Sequence, residues 1–272
     1  MINFLKIHWI AIVATISLVQ PWIIALWKKF WRRGKLEIYE SGNIEISYGP
    51  FGPVLSLYGT MRSLHRDIFV KSIDLQIIRE KDKSQHTFQW LAFRPLLSEL
   101  SSQQHISSEI PYSFLVSSTS PHRYNIVFAD LDLYNEIKPQ NDKYISEWFK
   151  LVERVKEKLP FTEGVNIPPE AIKEIENFRQ SQIRIATYEL LERKCYWEPG
   201  VYTLFFNVRT SKGNKTYTKK YCFTLNEEHC KNLKLNVITI LEEPISNFLR
   251  RKNYPYYYAY AQYKDEPVEN KS

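Results

Sequence analysis

A run of 21 residues without a charged side chain, residues 7–27, constrains this chain more than any other feature of its sequence. As a helix the run would be about 31 Å long, which matches the roughly 30 Å hydrocarbon core of a bilayer. Ten of its residues are Ile, Leu or Val, and Trp9 and Trp27 lie near its ends, where indole rings favour the headgroup level. The sequence therefore predicts a single transmembrane helix within residues 1–35.

Basic residues follow the uncharged run directly, whereas only Lys6 and the terminal amine precede it. The positive-inside rule then predicts that the N-terminus lies outside and that the globular domain is cytoplasmic. The basic flank would also attract anionic headgroups, at about 1 kcal/mol per charge, so the lipid bilayer is a predicted partner. A brief N-terminal anchor of this kind indicates the inner membrane of a bacterium. The predicted membrane-surface residues are Lys28, Lys29, Arg32, Arg33 and Lys35.

Two other interpretations of the uncharged run stay open. A cleaved signal peptide carries its positive charge before the apolar stretch and ends in a small-residue cleavage site. A helix buried in a globular core is usually shorter or interrupted by charge. The run fits the transmembrane pattern better than it fits either of these.

The excess of positive charge belongs to the N-terminal flank. The formal net charge is +7, but six of the 37 Lys and Arg residues lie within residues 1–35, which contain no acid. The rest of the chain has 31 basic against 30 acidic residues, a net charge of +1, which argues against nucleic acid as a partner. Three cysteines, Cys195, Cys222 and Cys230, form no C-x-x-C motif, and an odd count is typical of free thiols in a reducing compartment.

Alternation of apolar and polar residues predicts that residues 36–130 are mainly β. Glycine and proline break the pattern, as at residues 49–53. Short strands with turns between them are typical of a sandwich or a barrel. The predicted strands are residues 36–40, 43–48, 54–60, 69–79, 86–93, 112–117 and 124–130.

A helical period then predicts an insertion at about residues 141–194. Its first helix begins near Asn141 and ends at Pro160, and its second opens at Pro168 and runs to about Arg193. The apolar stripe of the first helix contains Ile145, Trp148, Phe149, Val152, Val155 and Leu159.

The pattern returns to β after this insertion. Residues 199–208 and 216–225 predict a hairpin, and residues 227–251 predict a helical or mixed stretch that Pro244 interrupts. A tyrosine-rich tail at residues 254–263 is compatible with a final strand and also with stacking on a partner. A polar end, residues 264–272, predicts a disordered tail.

The segment from Trp197 to Leu204, with Gly200 and Tyr202, resembles the strand that carries the tyrosine corner in immunoglobulin-like and fibronectin-like sandwiches. The chain departs from those domains in its large helical insertion and its lack of a disulfide pair. The resemblance implies a mainly β (α+β) fold, in which residues 36–263 form an immunoglobulin-like β-sandwich with a helical insertion. It carries no implication for function.

No motif in the sequence indicates a catalytic, cofactor or metal site. The six histidines show no H-x-H or i, i+4 spacing, and phosphate-binding glycine loops are absent from the sequence. Asp130 and Asp132 would share one side of an extended segment, where paired acids can share a proton or bind a cation, although solvated acids at a strand end are the simpler interpretation. A polar cluster of Arg62, His65, Arg66 and Asp67 is likewise either a site or a solvated loop.

A group of cations in the predicted hairpin has no acid between its members. It could protect a sheet edge, or it could contact anionic lipid or a partner. Its residues are Arg209, Lys212, Lys215, Lys219 and Lys220.

Three functions remain after these exclusions. The leading hypothesis is a non-enzymatic protein-interaction or scaffold module, held at a membrane and binding a protein partner there. The alternatives are a membrane-associated hydrolase or transferase, which would use the Arg62–Asp67 cluster or Asp130 and Asp132, and a domain that binds anionic lipid through the basic hairpin.

Overall fold

Nine β-strands form the core of the computed structural model, which describes residue 17 and residues 19–25, 34–50, 52–94, 109–158, 167–211, 215–252 and 254–266. In chain order they are β1 (Lys35–Gly49), β2 (Gly52–Leu64), β3 (Ile68–Arg79), β4 (Gln85–Phe93), β5 (Phe114–Val116), β6 (His122–Ala129), β7 (Gly200–Thr210), β8 (Thr216–Leu225) and β9 (Ala259–Glu266).

Eight of these strands close into an antiparallel barrel, in the order β1, β2, β6, β4, β3, β7, β8 and β9, with β9 paired back to β1. The short strand β5 pairs with the first residues of β3. The predicted immunoglobulin-like sandwich is therefore wrong. A sandwich needs two sheets packed face to face, whereas here a single sheet curls until its first and last strands bond to each other.

Within the described residues, helices occupy two of the connections between strands. They are α1 (Leu131–Lys158), α2 (Pro169–Arg179) and α3 (Gln182–Lys194), between β6 and β7, and α4 (Glu227–Phe248), between β8 and β9. Hydrogen bonds from buried tyrosine hydroxyls connect β1 to α3 and α1 to α4. The Tyr48 hydroxyl on β1 donates to the Leu191 carbonyl on α3 at 3.0 Å, and the Tyr144 hydroxyl on α1 donates to the Leu241 carbonyl on α4 at 2.6 Å.

The predicted membrane anchor is also corrected. Within the residues that the structure describes, no helix combines the length and the apolarity that crossing a bilayer requires. This finding contradicts the single-pass topology and the placement at a bacterial inner membrane. Residues 1–16, 18 and 26–33 lie outside the described residues, and with them Lys28, Lys29, Arg32 and Arg33, while residues 19–25 are helical. Lys35 begins β1 and forms an ion pair with Glu37 at 3.4 Å.

Large side chains fill the interior of the barrel. Phe206 on β7 reaches Phe128 and Tyr124 on β6, a strand that is not its neighbour, with ring centroids 6.2 and 6.1 Å away. Gly59 lies directly opposite Tyr124 in the β2–β6 pair. A β-carbon at this position would lie 2.5 Å from the Tyr124 hydroxyl oxygen and 2.5 Å from the Tyr39 carbonyl oxygen. Only glycine therefore leaves room for the Tyr124 ring.

One end of the interior is covered by Trp197, in the connection between α3 and β7. Its ring contacts Phe88 and Tyr202, with centroids 6.2 and 5.8 Å away. The Tyr202 hydroxyl donates to the Glu198 carbonyl at 2.7 Å and accepts from the Glu198 amide at 3.0 Å. The tyrosine hydrogen bond suggested by the sequence resemblance is thus present, but in a barrel.

A half-buried carboxyl group makes the stability of the barrel depend on pH. The Tyr221 hydroxyl donates to Glu40 Oε1, and burial raises the pKa of Glu40 from 4.5 to about 7, against the opposing effect of Lys219. The folded state therefore binds a proton that the unfolded state has released between about pH 4.5 and 7. By linkage, this group makes folding less favourable as the pH rises through that window.

We expect a Glu40→Gln variant to lose this pH dependence, because glutamine does not ionise. Relative to the variant, the wild-type protein should lose about 2 kcal/mol of unfolding free energy between pH 5 and pH 8, after discounting for solvent at this half-buried site. Urea unfolding at the two pH values measures the difference. Glu37→Gln on the same strand is the control, because the hydroxyl of Tyr39 lowers the pKa of Glu37 and moves its titration below the window. An equal pH response of wild type and Glu40→Gln would contradict the expectation.

Candidate interaction surface

A buried glutamate lies on the outer face of the barrel, where strands ordinarily display solvated side chains. Ile44 and Ile46 on β1 are fully buried and face the interior, so Glu45 between them faces outward. Its side chain is nevertheless only 9% exposed. A carboxylate with so little water around it requires protein donors in its place.

The donors come from the adjacent strands β2 and β9 and from the end of β4. The Tyr58 hydroxyl donates to Glu45 Oε2 at 2.8 Å, and the Ser56 hydroxyl donates to Oε1 at 3.5 Å. Arg94, at the end of β4, donates from Nη1 to Oε1 at 2.6 Å. Tyr260 lies opposite Glu45 in the β1–β9 pair and adds a further hydroxyl to the same carboxylate. One buried side chain thus holds a guanidinium and two phenols in place.

The side chains of Tyr58, Tyr260 and Arg94 each have one dominant protonation state at neutral pH. Burial, followed by the hydrogen bond to Glu45, raises the pKa of Tyr58. Burial and then the negative charge of Glu45 raise the pKa of Tyr260 as well. Burial alone would lower the pKa of Arg94, but the hydrogen bond and the charge of Glu45, together with the nearby Tyr58 and Tyr258, outweigh it, so the net shift is upward. The group therefore presents a permanent cation beside neutral phenols.

We call the patch formed by Tyr58, Arg94, Asn125, Tyr258 and Tyr260 around Glu45 the Tyr-Arg surface. Tyr258 and Tyr260 are 45% and 62% exposed, and their ring centroids are 6.5 Å apart. The buried Asn125 Oδ1 has no hydrogen-bond partner within the described part of the chain. The surface therefore offers aromatic faces and a fixed guanidinium.

The tyrosine tail of the sequence contributes two members of this surface. The tail forms β9, as the final-strand interpretation predicted, and pairs with both β1 and β8. Ala259 and Ala261 face inward, so Tyr258 and Tyr260 face outward. Tyr256 precedes the strand, and its hydroxyl donates to Glu243 at 2.8 Å. β9 extends to Glu266, and residues 267–272 of the predicted tail lie outside the described residues.

The cations of the predicted hairpin do not form one surface. Arg209 pairs with Asp74 at 3.1 Å and Lys219 with Asp265 at 3.2 Å, so acids from neighbouring strands neutralise them. Lys219 and Lys220 are consecutive on β8 and face opposite sides. Lys215 is exposed, and Lys212 lies outside the described residues. The hairpin is not a sheet edge either, because β7 and β8 are each paired on both sides.

The cluster from Arg62 to Asp67 spans the last residues of β2 and the connection to β3. Asp67 Oδ1 accepts from the Ser118 amide at 2.7 Å and from the Ser118 hydroxyl at 2.9 Å. These bonds lower the pKa of Asp67. Arg62 and His65 are exposed, and His65 adopts a left-handed backbone conformation with φ of 72°. The geometry favours a structural turn.

Asp130 and Asp132 are not on one extended segment, because α1 begins at Leu131. Asp130 Oδ1 accepts from the Leu133 amide at 3.0 Å and so caps the helix. Both acids line a pocket that also contains His86. Among the described residues, no three His, Cys, Asp or Glu side chains are grouped as a metal site.

Glu45 and Arg94 are the functional candidates that sequence reasoning missed. Glu45 belongs to an ordinary alternating strand pattern, and nothing local marks it as buried. Neither a protein-family model, nor a curated protein, nor a solved structure matches this chain.

Proposed function

We propose that the barrel is a non-enzymatic protein-interaction module that binds its partner through the Tyr-Arg surface. The observation that carries this proposal is the set of donors around Glu45. Tyrosine and arginine are among the residues that most often dominate binding energy at interfaces. Tyrosine in particular supplies a large contact area at a small cost in conformational entropy.

Preorganisation supports the same function. A buried ion pair contributes little net stability, because the desolvation of its charges offsets their attraction. The Glu45–Arg94 pair on an outer face is therefore poorly explained by folding alone. It does hold Arg94, Tyr58 and Tyr260 in one arrangement before a partner arrives, which lowers the entropy lost on binding.

The geometry also indicates how a partner would bind. Every barrel strand has a partner on each side along part of its length, so the ring offers no strand whose whole edge is open to a peptide. We therefore expect contact to run through side chains. Arg94 donates a hydrogen bond from Nη1 to Glu45. Its remaining N–H donors suit the backbone carbonyls or carboxylates of a polypeptide that packs apolar groups on Tyr258 and Tyr260.

We expect a Tyr258→Ala/Tyr260→Ala double variant to bind the partner at least about tenfold more weakly, since interface tyrosines commonly contribute more than about 1 kcal/mol each. Tyr258 is 45% and Tyr260 62% exposed, so the double variant should still fold, and its unfolding curve separates a lost contact from a lost fold. The measurement is quantitative co-purification after cross-linking in the native cells, followed by titration of the recovered partner with purified protein.

Phe149→Ala is the matched control, because Phe149 is a 58% exposed aromatic residue on α1, outside the Tyr-Arg surface. It should retain wild-type affinity. The proposal is wrong if the double variant retains the same partners as this control with the same affinity, or if the wild-type protein retains no partner.

A further inference from the structure

A second candidate site lies in a pocket of about 430 Å³, formed by β4, the start of α1 and the end of α3. None of its lining residues belongs to the Tyr-Arg surface. Its volume is within the range of small-molecule sites, which place a few polar groups in a concave wall. Here those groups are His86, Asp130, Asp132, Arg193 and Lys194.

The imidazole of His86 is held from two directions. Its ring stacks on Tyr196, with centroids 3.6 Å apart and planes inclined by 14°. Its Nδ1 lies 3.6 Å from Asp130 Oδ2. The Tyr196 hydroxyl donates to the same Oδ2 at 3.2 Å, so the stacking partner and the carboxylate also fix each other. The histidine is thus oriented more tightly than a solvated surface residue would be.

Asp130 is ionised at neutral pH. Burial alone would raise its pKa, but donors from His86, the Leu133 amide and Tyr196 outweigh burial and hold the pKa below its usual value. A carboxylate facing Nδ1 favours the tautomer with its proton on Nδ1. The other ring nitrogen, Nε2, is then the one left for a ligand.

The remaining charges of the pocket divide into paired and unpaired groups. Lys194 forms an ion pair with Glu136, and Asp130 is occupied as described. Asp132 and Arg193 are exposed, and neither forms an ion pair with any residue in the described part of the chain, nor with the other. One carboxylate, one guanidinium and one imidazole nitrogen are therefore left for a ligand.

We infer that this pocket binds a small zwitterion of the α-amino acid class. Arg193 receives the ligand carboxylate, for which its planar fork of donors is suited. Asp132 receives the ammonium group, and His86 Nε2 accepts one of the hydrogens of that ammonium or of a ligand side chain. A ligand with only one of the two charges would leave either Asp132 or Arg193 unmatched. The inference does not depend on the Tyr-Arg surface.

Isothermal titration of the full chain with each of the twenty α-amino acids tests the inference, with acetate and methylamine as single-charge probes. We expect at least one amino acid to bind, and both single-charge probes to bind at least about tenfold more weakly than it does. Asp132→Asn, Arg193→Gln and His86→Gln should each weaken the binding by a similar factor. Arg62→Gln, which removes an exposed arginine elsewhere, should not.

Unfolding curves of each variant separate a lost contact from a lost fold. If His86→Gln does not fold, Asp132→Asn and Arg193→Gln decide the matter, because both replace exposed side chains. The inference is overturned if no amino acid binds, if acetate or methylamine binds as tightly as the best amino acid, or if Asp132→Asn and Arg193→Gln bind like wild type.

Discussion

Replacing Trp197 by alanine should lower the free energy of unfolding by about 3–5 kcal/mol, the largest effect that we expect from a single substitution in the core. Trp197 is fully buried and packs against Phe88, Tyr196 and Tyr202. Alanine would leave a cavity at one end of the barrel that these fixed rings cannot refill. Urea unfolding with an unchanged slope against denaturant would measure the loss.

Phe149→Ala is the control that distinguishes the loss of a buried ring from the loss of an exposed one. Phe149 is more than half exposed, so its removal should change the midpoint of unfolding little. An intermediate Trp197→Phe variant should recover part of the lost stability. If Trp197→Ala unfolds at the wild-type midpoint, Trp197 does not close the barrel interior.

Glu242→Ala should lower the free energy of unfolding by about 3 kcal/mol, because two cations would lose the buried carboxylate that they share. Glu242 on α4 is 4% exposed. Its Oε2 accepts from Arg179 Nε and Nη2 at 3.1 and 2.7 Å, and its Oε1 accepts from Arg184 Nη2 at 2.7 Å. Arg179 ends α2 and Arg184 lies in the first turn of α3. The carboxylate therefore fastens α4 to the corner between those two helices.

Glu147→Ala provides the comparison for this network. Glu147 forms an ion pair with Lys150 at 2.8 Å on the exposed face of α1, where solvent screens the charges. Its loss should leave the unfolding midpoint close to that of wild type, and Glu242→Gln should fall between the two alanine variants. Equal midpoints for Glu242→Ala and Glu147→Ala would show that the buried network does not stabilise the helices.

Local sequence patterns located most strands but could not assign their partners. The alternation of apolar and polar residues at 216–225 can be recognised from the local sequence, and it predicts β8 correctly. Closure of the ring depends instead on Glu45 meeting Tyr260 across most of the length of the chain. No local period carries that information, so a sandwich and a barrel were equally compatible with the pattern.

The start of the first helix differs from the predicted start for a physical reason. The sequence placed the first helix at Asn141, after Pro139, whereas α1 continues through Pro139 and starts at Leu131. Pro139 lies on an exposed face, where water can satisfy the carbonyl that its missing N–H leaves free. Phe149 was expected in the apolar stripe, but the buried side of the helix is defined by Tyr144, Trp148 and Leu151.

The candidate site was predictable only in part. The tyrosine tail suggested a contact surface, and Tyr260 on β9 and Tyr258 just before it do face outward. The role of Glu45 arises from residues on four strands, β1, β2, β9 and the end of β4, which only the closed barrel brings together. Its burial is therefore a tertiary property that a single sequence does not express.

The pairing of β9 between β1 and β8 bears on how this protein is made. β9 is the last of the nine strands to leave the ribosome, and until it emerges both of its neighbours carry a row of unpaired backbone groups. A nascent chain in this state is open to wrong pairing and to capture by chaperones. Translation therefore has to reach Ala259–Glu266 before the ring can shut.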